Sequence, residues 1–304
     1  MVKHIRLGTF NYKAGGWSEA TRRHDHQPLV ETIARTPDGP PHILALPEGT
    51  LYREFQEQPI WEVVRQLNQL WQGEDFYYPF LSYRAGSRNH PALLVSARQV
   101  RPLRWFAPGP NNRRIRNNFL LAEIAGQEVY LNSLHWDGAA GPEGFATQSA
   151  LTSQMASVPC LLLGDFNATS SCEGEIVPSD WHELMASTPW KRAQKGIKDS
   201  GGRWRINTEP MDDLLAAGFI DAGQQAGDFT VTVNSTAFNS IVDNPTGTNS
   251  TVDNGSGLRI DRILWSRKLL ASLVPHSYQV HVPQPGEEKS DHRYVTAVLD
   301  FAEF

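Results

Sequence analysis

"PCLLLGDFNATSS" (residues 159–171) decides how the rest of the chain is read. An apolar run from Cys160 to Leu163 passes into Gly164 and then into Asp165, Phe166 and Asn167. A short continuous apolar run bounded by turn formers is the pattern of a strand buried on both faces. The stretch therefore predicts a strand inside a layered structure that delivers a carboxylate and an amide at its rim. Phe166 turns back into the core, Asp165 and Asn167 point out, and Gly164 lets the backbone pass close to a neighbour.

The same unit, an apolar strand followed by a polar or Gly/Pro-rich loop, recurs at 4–11, 42–48, 76–83, 91–96, 118–125, 128–135, 229–234, 258–265, 277–282 and 292–301. That is more strand than one ordinary sheet holds. Gly126 in "AGQE" (125–128) makes 118–135 a hairpin. Helical spacing appears at 27–36 and at 59–71, where Ile60, Val63, Val64, Leu67 and Leu70 form one apolar face, with further candidates at 142–156, 179–186 and 209–217. Trp61, Trp71, Trp181 and Trp190 read as core by default. Strands that need two covered faces, together with amphipathic helices, predict two face-to-face sheets with helices outside.

The 304 residues are expected to form a single domain, 1–304, with a flap at 234–257, where Asn, Ser, Thr, Gly and Asp dominate. There is no apolar run long enough for a membrane span. The N-terminal residues lack a signal-peptide core, and the two cysteines, Cys160 and Cys172, make no disulfide framework. A cytoplasmic setting is the expectation. The net charge of −5 and pI of about 6.1 supply no overall field for a polyanion. Any nucleic acid must be gripped locally, and the dense basic stretch "NNRRIRNN" (111–118) offers Arg113, Arg114 and Arg116 for that. "RRHDH" (22–26) reads as a solvated turn, because His24 and His26 share no helix face.

Chemistry collects where strands end. Asn11, Glu48, His135, Asp165 and Asn167 all leave apolar strands at that position. "SDH", Ser290 to His292, precedes the last strand, so an antiparallel last strand brings it to the same rim. Asp261 lies inside "LRIDRILW" and alternates with Ile263 and Trp265 on a buried face, where a carboxylate needs a partner. His292 is that partner, its tautomer and basicity set by Asp261.

Such a set suits metal-assisted phosphoester cleavage. A hard divalent cation, Mg²⁺ or Mn²⁺, takes oxygen ligands, which Glu48 and Asp291 supply. Asn11 and Asn167 bond phosphate or bound water without repelling either. Asp165 orients or deprotonates the attacking water, and His135 donates to a non-bridging oxygen as charge grows there.

In order along the chain, "GTFN" (8–11), "LPEG" (46–49), "NSLHWD" (132–137), "LLGDFNA" (162–168), "RIDRILW" (259–265) and "SDHRYVTAVL" (290–299) resemble the motif series of the endonuclease/exonuclease/phosphatase superfamily, with its deoxyribonuclease-I-like fold. The resemblance implies an α/β chain in a four-layer α/β/β/α sandwich of two packed mixed β-sheets with outer helices. It places Asn11, Glu48 and Asp291 on the metal side, and His135 on a phosphate-contacting histidine. Asp165 and Asn167 fall on the water-activating and phosphate-binding pair, Asp261 and His292 on the acid–histidine pair. His135 matches the deoxyribonuclease, sphingomyelinase and inositol-phosphatase style of member, since abasic-site endonucleases typically carry tyrosine there. "LPEG" replaces the commoner Leu-Gln-Glu, and Tyr294 stands where a proline often follows "SDH". The extra acidic or amide residue that many members carry between "LPEG" and the histidine motif has no clear match; Arg88 and Asn89 in "GSRNHPALLVS" (86–96) are the candidates, and Asn89 joins Arg113, Arg114 and Arg116 as an expected substrate-binding residue.

The expectation is a Mg²⁺- or Mn²⁺-dependent phosphoester hydrolase, first a nuclease acting on phosphodiesters of DNA or RNA. The alternative is a phosphatase or phosphodiesterase for a small molecule or lipid headgroup, favoured by the acidic pI and the flap. A binding module that keeps only the fold is a third reading, opposed by the intact polar set.

Overall fold

The computed structural model describes residues 2–71, 76–84, 87–107, 118–175, 189–234, 257–284 and 287–302. Arg113, Arg114 and Arg116, the helix expected at 179–186 and nearly all of the 234–257 segment lie outside the described residues.

Three two-stranded ribbons aside, the strands are β1 (Val2–Thr9), β2 (Ile43–Leu46), β3 (Tyr77–Leu81), β4 (Ala92–Ser96), β5 (Arg101–Phe106), β6 (Phe119–Ile124) and β7 (Gln127–His135). They continue with β8 (Cys160–Asp165), β9 (Phe219–Asp221), β10 (Asp261–Ser266), β11 (Ala271–Leu273), β12 (Gln279–His281) and β13 (Tyr294–Ala302). One sheet of seven strands runs β11-β13-β1-β2-β4-β3, with β12 also on β13. The other, of six, runs β9-β10-β8-β7-β6-β5. Each mixes parallel pairs (β1 with β2, β7 with β8) and antiparallel ones.

Alternation decides which side chains face what. In β8, Leu161 and Leu163 enter the core between the sheets, where they meet Ile5, Ile43 and Val95 of the other sheet. Cys160 and Leu162 face outward against Phe145, Met211 and Leu214. In β2, Ile43 and Ala45 point to the shared core and Leu44 and Leu46 to the outer helices. The helices α1 (Gln27–Ala34) and α2 (Gln58–Leu70) cover the first sheet through Leu29, Ile33, Ile60 and Leu67. On the second sheet lie α3 (Gly141–Ser153) and, after α4 (Pro189–Lys195), α5 (Glu209–Ala217). The result is the four-layer α/β/β/α sandwich of two mixed sheets, built on side chains worth about 1.5–3 kcal/mol each when fully buried. Among the described residues no helix is long and apolar enough to cross a membrane.

Some expectations change. Strand β5 was not anticipated, because Pro102 and exposed charges break its pattern. It is an edge strand with a bulge between Pro102 and Arg104, where a proline is tolerated. Only Val233–Asn234 of the expected 229–234 strand pairs, with Gly257–Leu258. Leu70 and Trp61 are exposed, since the apolar face of α2 ends at Leu67 and Trp61 lies on its outer side. The "RRHDH" turn is not solvated at its end. His26 is buried and its ring stacks on His24, while His24 also meets Trp17, Tyr52 and Phe55.

Candidate active site

Strand direction brings the polar ends together. β13 runs antiparallel to β1, so His292, just ahead of β13, reaches the edge where β1 runs out into Asn11. β10 runs antiparallel to β8, so Asp261 begins its strand directly opposite Asp165, which ends the other. The sequence pattern predicts Asp261 inside its strand; the preceding residues instead leave the sheet, and Asp261 is the first to pair. His135 is the register partner of Asp165 on the other side.

The close approach at this edge requires Gly164. Its φ of 146° lies where side chains are rarely accommodated, and a Cβ there would sit 2.0 Å from the Leu134 carbonyl oxygen of β7. Asn167 takes a left-handed φ of 51°, which turns the chain after Phe166, and Phe166 packs inward against Trp136. The loop beyond is tied down by a buried ionic cluster. Arg259 and Arg262 flank Asp261 in sequence and bond both Glu175 and Asp221, with side chains 0–1 % exposed. Burial pushes the Asp221 carboxyl up, but the two guanidinium groups outweigh it and hold the group well below the usual range.

Asp165 is the centre of the polar network. Its Oδ2 accepts from Asn11 Nδ2 at 3.0 Å and lies 3.6 Å from His135 Nε2 and 4.0 Å from His292 Nε2. Its Oδ1 accepts from the Asn167 backbone N–H at 2.7 Å. His292 Nδ1 is 2.8 Å from Asp261 Oδ2, the acid–histidine pair anticipated from sequence. Glu48 accepts from the Ala14 N–H at 2.8 Å and from Asn89 Nδ2 at 3.2 Å, and Thr50 Oγ1 in turn donates to Asn89 Oδ1. Asn89 therefore orients Glu48. Glu48, Asn89, Asp291 and His292 line one cleft of about 360 Å³, joined by Lys13, Trp17 and Arg88. Lys13 Nζ stands 3.9 Å from Asp291 Oδ2.

Burial sets the protonation states. It pushes the carboxyls of Glu48 and Asp165 up, and pulls His135 down to about 4, so His135 is neutral at pH 7 and its ring can donate from one nitrogen only. Burial acts downward on His292 as well, but Asp261, followed by Asp165 and Asp291, overrides it and raises the imidazole to about 10.

A carboxylate pushed up in a polar cleft and bonded to amide N–H groups, as Glu48 is, is suited to a hard divalent cation. Asp165, Asp261 and His292 also present ligand atoms within 4.8 Å of one another. In that trio His292 Nδ1 is already committed to Asp261. Glu48 and Asp291, which line the same cleft, are the alternative oxygen donors.

Sequence reasoning did not find Lys195, whose Nζ lies 2.7 Å from Asn167 Oδ1 and 2.8 Å from Asn167 O. It comes from α4, a helix not read from the sequence, and no local motif marks it.

A profile described as the Endonuclease/Exonuclease/phosphatase family matches residues 17–292. The chain belongs to this family. Among solved structures, the 3′ phosphatase NExo from Neisseria, in a complex with product DNA hairpin, is 18% identical with a TM-score of 0.56, over 96% of this chain and 98% of that one. An AP endonuclease from Archaeoglobus fulgidus is 15% identical with a TM-score of 0.56, over the same shares. Truncated TDP2 from Caenorhabditis elegans is 16% identical with a TM-score of 0.52, over 98% of each chain. At these identities the likeness establishes the deoxyribonuclease-I-like fold. A search of curated protein sequences finds no match. Members of the endonuclease/exonuclease/phosphatase family are phosphoesterase hydrolases.

Proposed function

We propose that the chain is a divalent-metal-dependent phosphoester hydrolase that cleaves phosphodiester bonds of DNA or RNA. The observation that carries the reading is Asp165, a buried carboxylate within 4.0 Å of two histidines and hydrogen-bonded to Asn11 from the opposite sheet. Nothing about sheet packing requires that convergence, and water activation next to a phosphate does. The nucleic-acid part is supported by relatives of the same fold named as a 3′ phosphatase with bound DNA and an AP endonuclease.

In this reading Asp165 orients the attacking water and draws its proton. His135, neutral, donates from Nε2 to a non-bridging oxygen. His292, held protonated by Asp261, supplies positive charge or a proton as the ester bond breaks. Asn167 offers an amide N–H to the phosphate. Glu48, with Asn11 and Asp291, would hold Mg²⁺ or Mn²⁺, which when bound neutralises phosphate charge and stabilises the leaving oxygen.

The test is hydrolysis of plasmid DNA, RNA, an abasic oligonucleotide, sphingomyelin and inositol phosphates with Mg²⁺ or Mn²⁺, beside EDTA controls and Asp165→Asn. The expected result is cleavage of nucleic acid, abolished by EDTA and by the substitution. Turnover confined to sphingomyelin or inositol phosphates overturns the nucleic-acid assignment. Full activity in EDTA overturns the metal.

A further inference from the structure

We infer that Lys195 is a positioning residue for this site: it fixes which end of the Asn167 side-chain amide faces the substrate phosphate. The inference rests on the phosphoesterase reading above.

A primary amide has two ends of nearly the same shape and opposite polarity. If Asn167 presents Nδ2, it attracts a phosphate oxygen; if it presents Oδ1, it repels one. The chain around Asn167 settles the choice from both sides. Asn167 Nδ2 donates to the Trp136 carbonyl oxygen at 3.0 Å, a partner that only the nitrogen end can satisfy. Lys195 Nζ lies 2.7 Å from Oδ1, a place that only the oxygen end can occupy against a cation. One Nδ2 hydrogen is used by Trp136, which leaves the second as a donor for a ligand.

Lys195 also donates to the Asn167 main-chain oxygen at 2.8 Å, so one ammonium holds both the side chain and the left-handed backbone. Its own position is fixed in turn. The Asn207 N–H bonds the Lys195 carbonyl at 2.9 Å, and Lys195 Nζ sits 5.2 Å from the centre of the Phe145 ring. Gly138 leaves the space: a Cβ there would stand 2.8 Å from Asn167 Oδ1 and 3.2 Å from Lys195 Nζ. A lysine that merely capped its helix would have no reason to bond both oxygens of one residue in the "GDFN" turn.

The experiment is a double-substitution cycle of Lys195→Met and Asn167→Ala, with Lys195→Arg as the conservative variant, read on the nucleic-acid substrate and on bis(p-nitrophenyl) phosphate. Lys195→Met is expected to lower kcat about tenfold or more with KM little changed, to have a clearly smaller effect once Asn167 is alanine, where only the charge of Lys195 on Asp165 and His135 remains, and to be partly rescued by arginine. An equal loss in the Asn167→Ala background, or wild-type kcat in Lys195→Met, overturns the inference. A second measurement needs no activity. The ¹⁵N side-chain amide pair of Asn167, assigned by its loss in Asn167→Ala, should shift and exchange faster in Lys195→Met, and an unchanged pair also overturns it. Should the wild type hydrolyse no phosphoester, the functional reading fails while the amide signals still decide the clamp.

Discussion

His292 Nδ1 and Asp261 Oδ2, 2.8 Å apart, join the lead-in of a strand in one sheet to the first residue of a strand in the other. Removing the acid while keeping its shape isolates what it does to the imidazole. Asp261→Asn should leave the fold intact by circular dichroism and lower kcat by about 10²- to 10⁴-fold, as loss of an acid–base group does. His292→Gln should cost the same, and the double variant no more, because the two act as one unit. A double variant with multiplied losses would refute the pairing.

Gly164 carries a steric prediction. Gly164→Ala forces a Cβ to within 2.0 Å of the Leu134 carbonyl, at a φ of 146°. The backbone strain alone is about 1–3 kcal/mol. A urea midpoint for the alanine variant equal to that of the wild type would show that β7 and β8 do not approach as closely as described.

Asp221 binds both Arg259 and Arg262 with 0 % of its own side chain exposed. Truncating one partner of a buried ion cluster strands the others, at about 3–5 kcal/mol. Asp221→Ala should therefore lose that much stability in chemical denaturation. It should also loosen residues 166–175, seen as faster amide exchange after Asp165. Stability unchanged within about 0.5 kcal/mol would mean the cluster is not closed to water.

His26 makes stability depend on pH. Burial, and then the neighbouring His24, pull its pKa from 6.5 to about 4. An unfolded chain therefore takes up a proton between about pH 6.5 and 4 that the folded chain refuses. This contribution to stability is complete above 6.5 and is lost as pH falls through that window. His135, also lowered to about 4, acts in the same direction, so His26→Gln should reduce the decline of the urea midpoint between pH 7 and 5 without abolishing it. A slope equal to that of the wild type would place His26 in water.

The strand ends were legible because apolar runs lead up to them. Leu161 and Leu163 set the parity that Asp165 continues, and the same count along β7 reaches His135. Asp261 was legible as a buried acid needing a histidine, though its place at the start of β10 was not. What stayed hidden depends on partners far apart in sequence. Lys195 gains its meaning only from Asn167, and Arg259 and Arg262 look like ordinary charges until Glu175 and Asp221 close around them. His24 and His26 looked solvated because Tyr52 and Phe55, which close over them, lie more than 25 residues further along the chain. Pro102 hid β5 for a local reason, since a proline argues against a strand unless the strand is at an edge.

The Asn11 to Asp165 hydrogen bond, 3.0 Å long, spans the two sheets. Between the sheets lies an apolar core, whose attraction has no direction and resists sliding only through side-chain fit. A slip of about 1 Å would break that bond. The proposed reacting centre is therefore also a gauge of how the two halves of the sandwich are aligned. Mild denaturant or pressure should silence it before any spectroscopic sign of unfolding, which makes lost turnover the earliest report that the sheets have begun to drift.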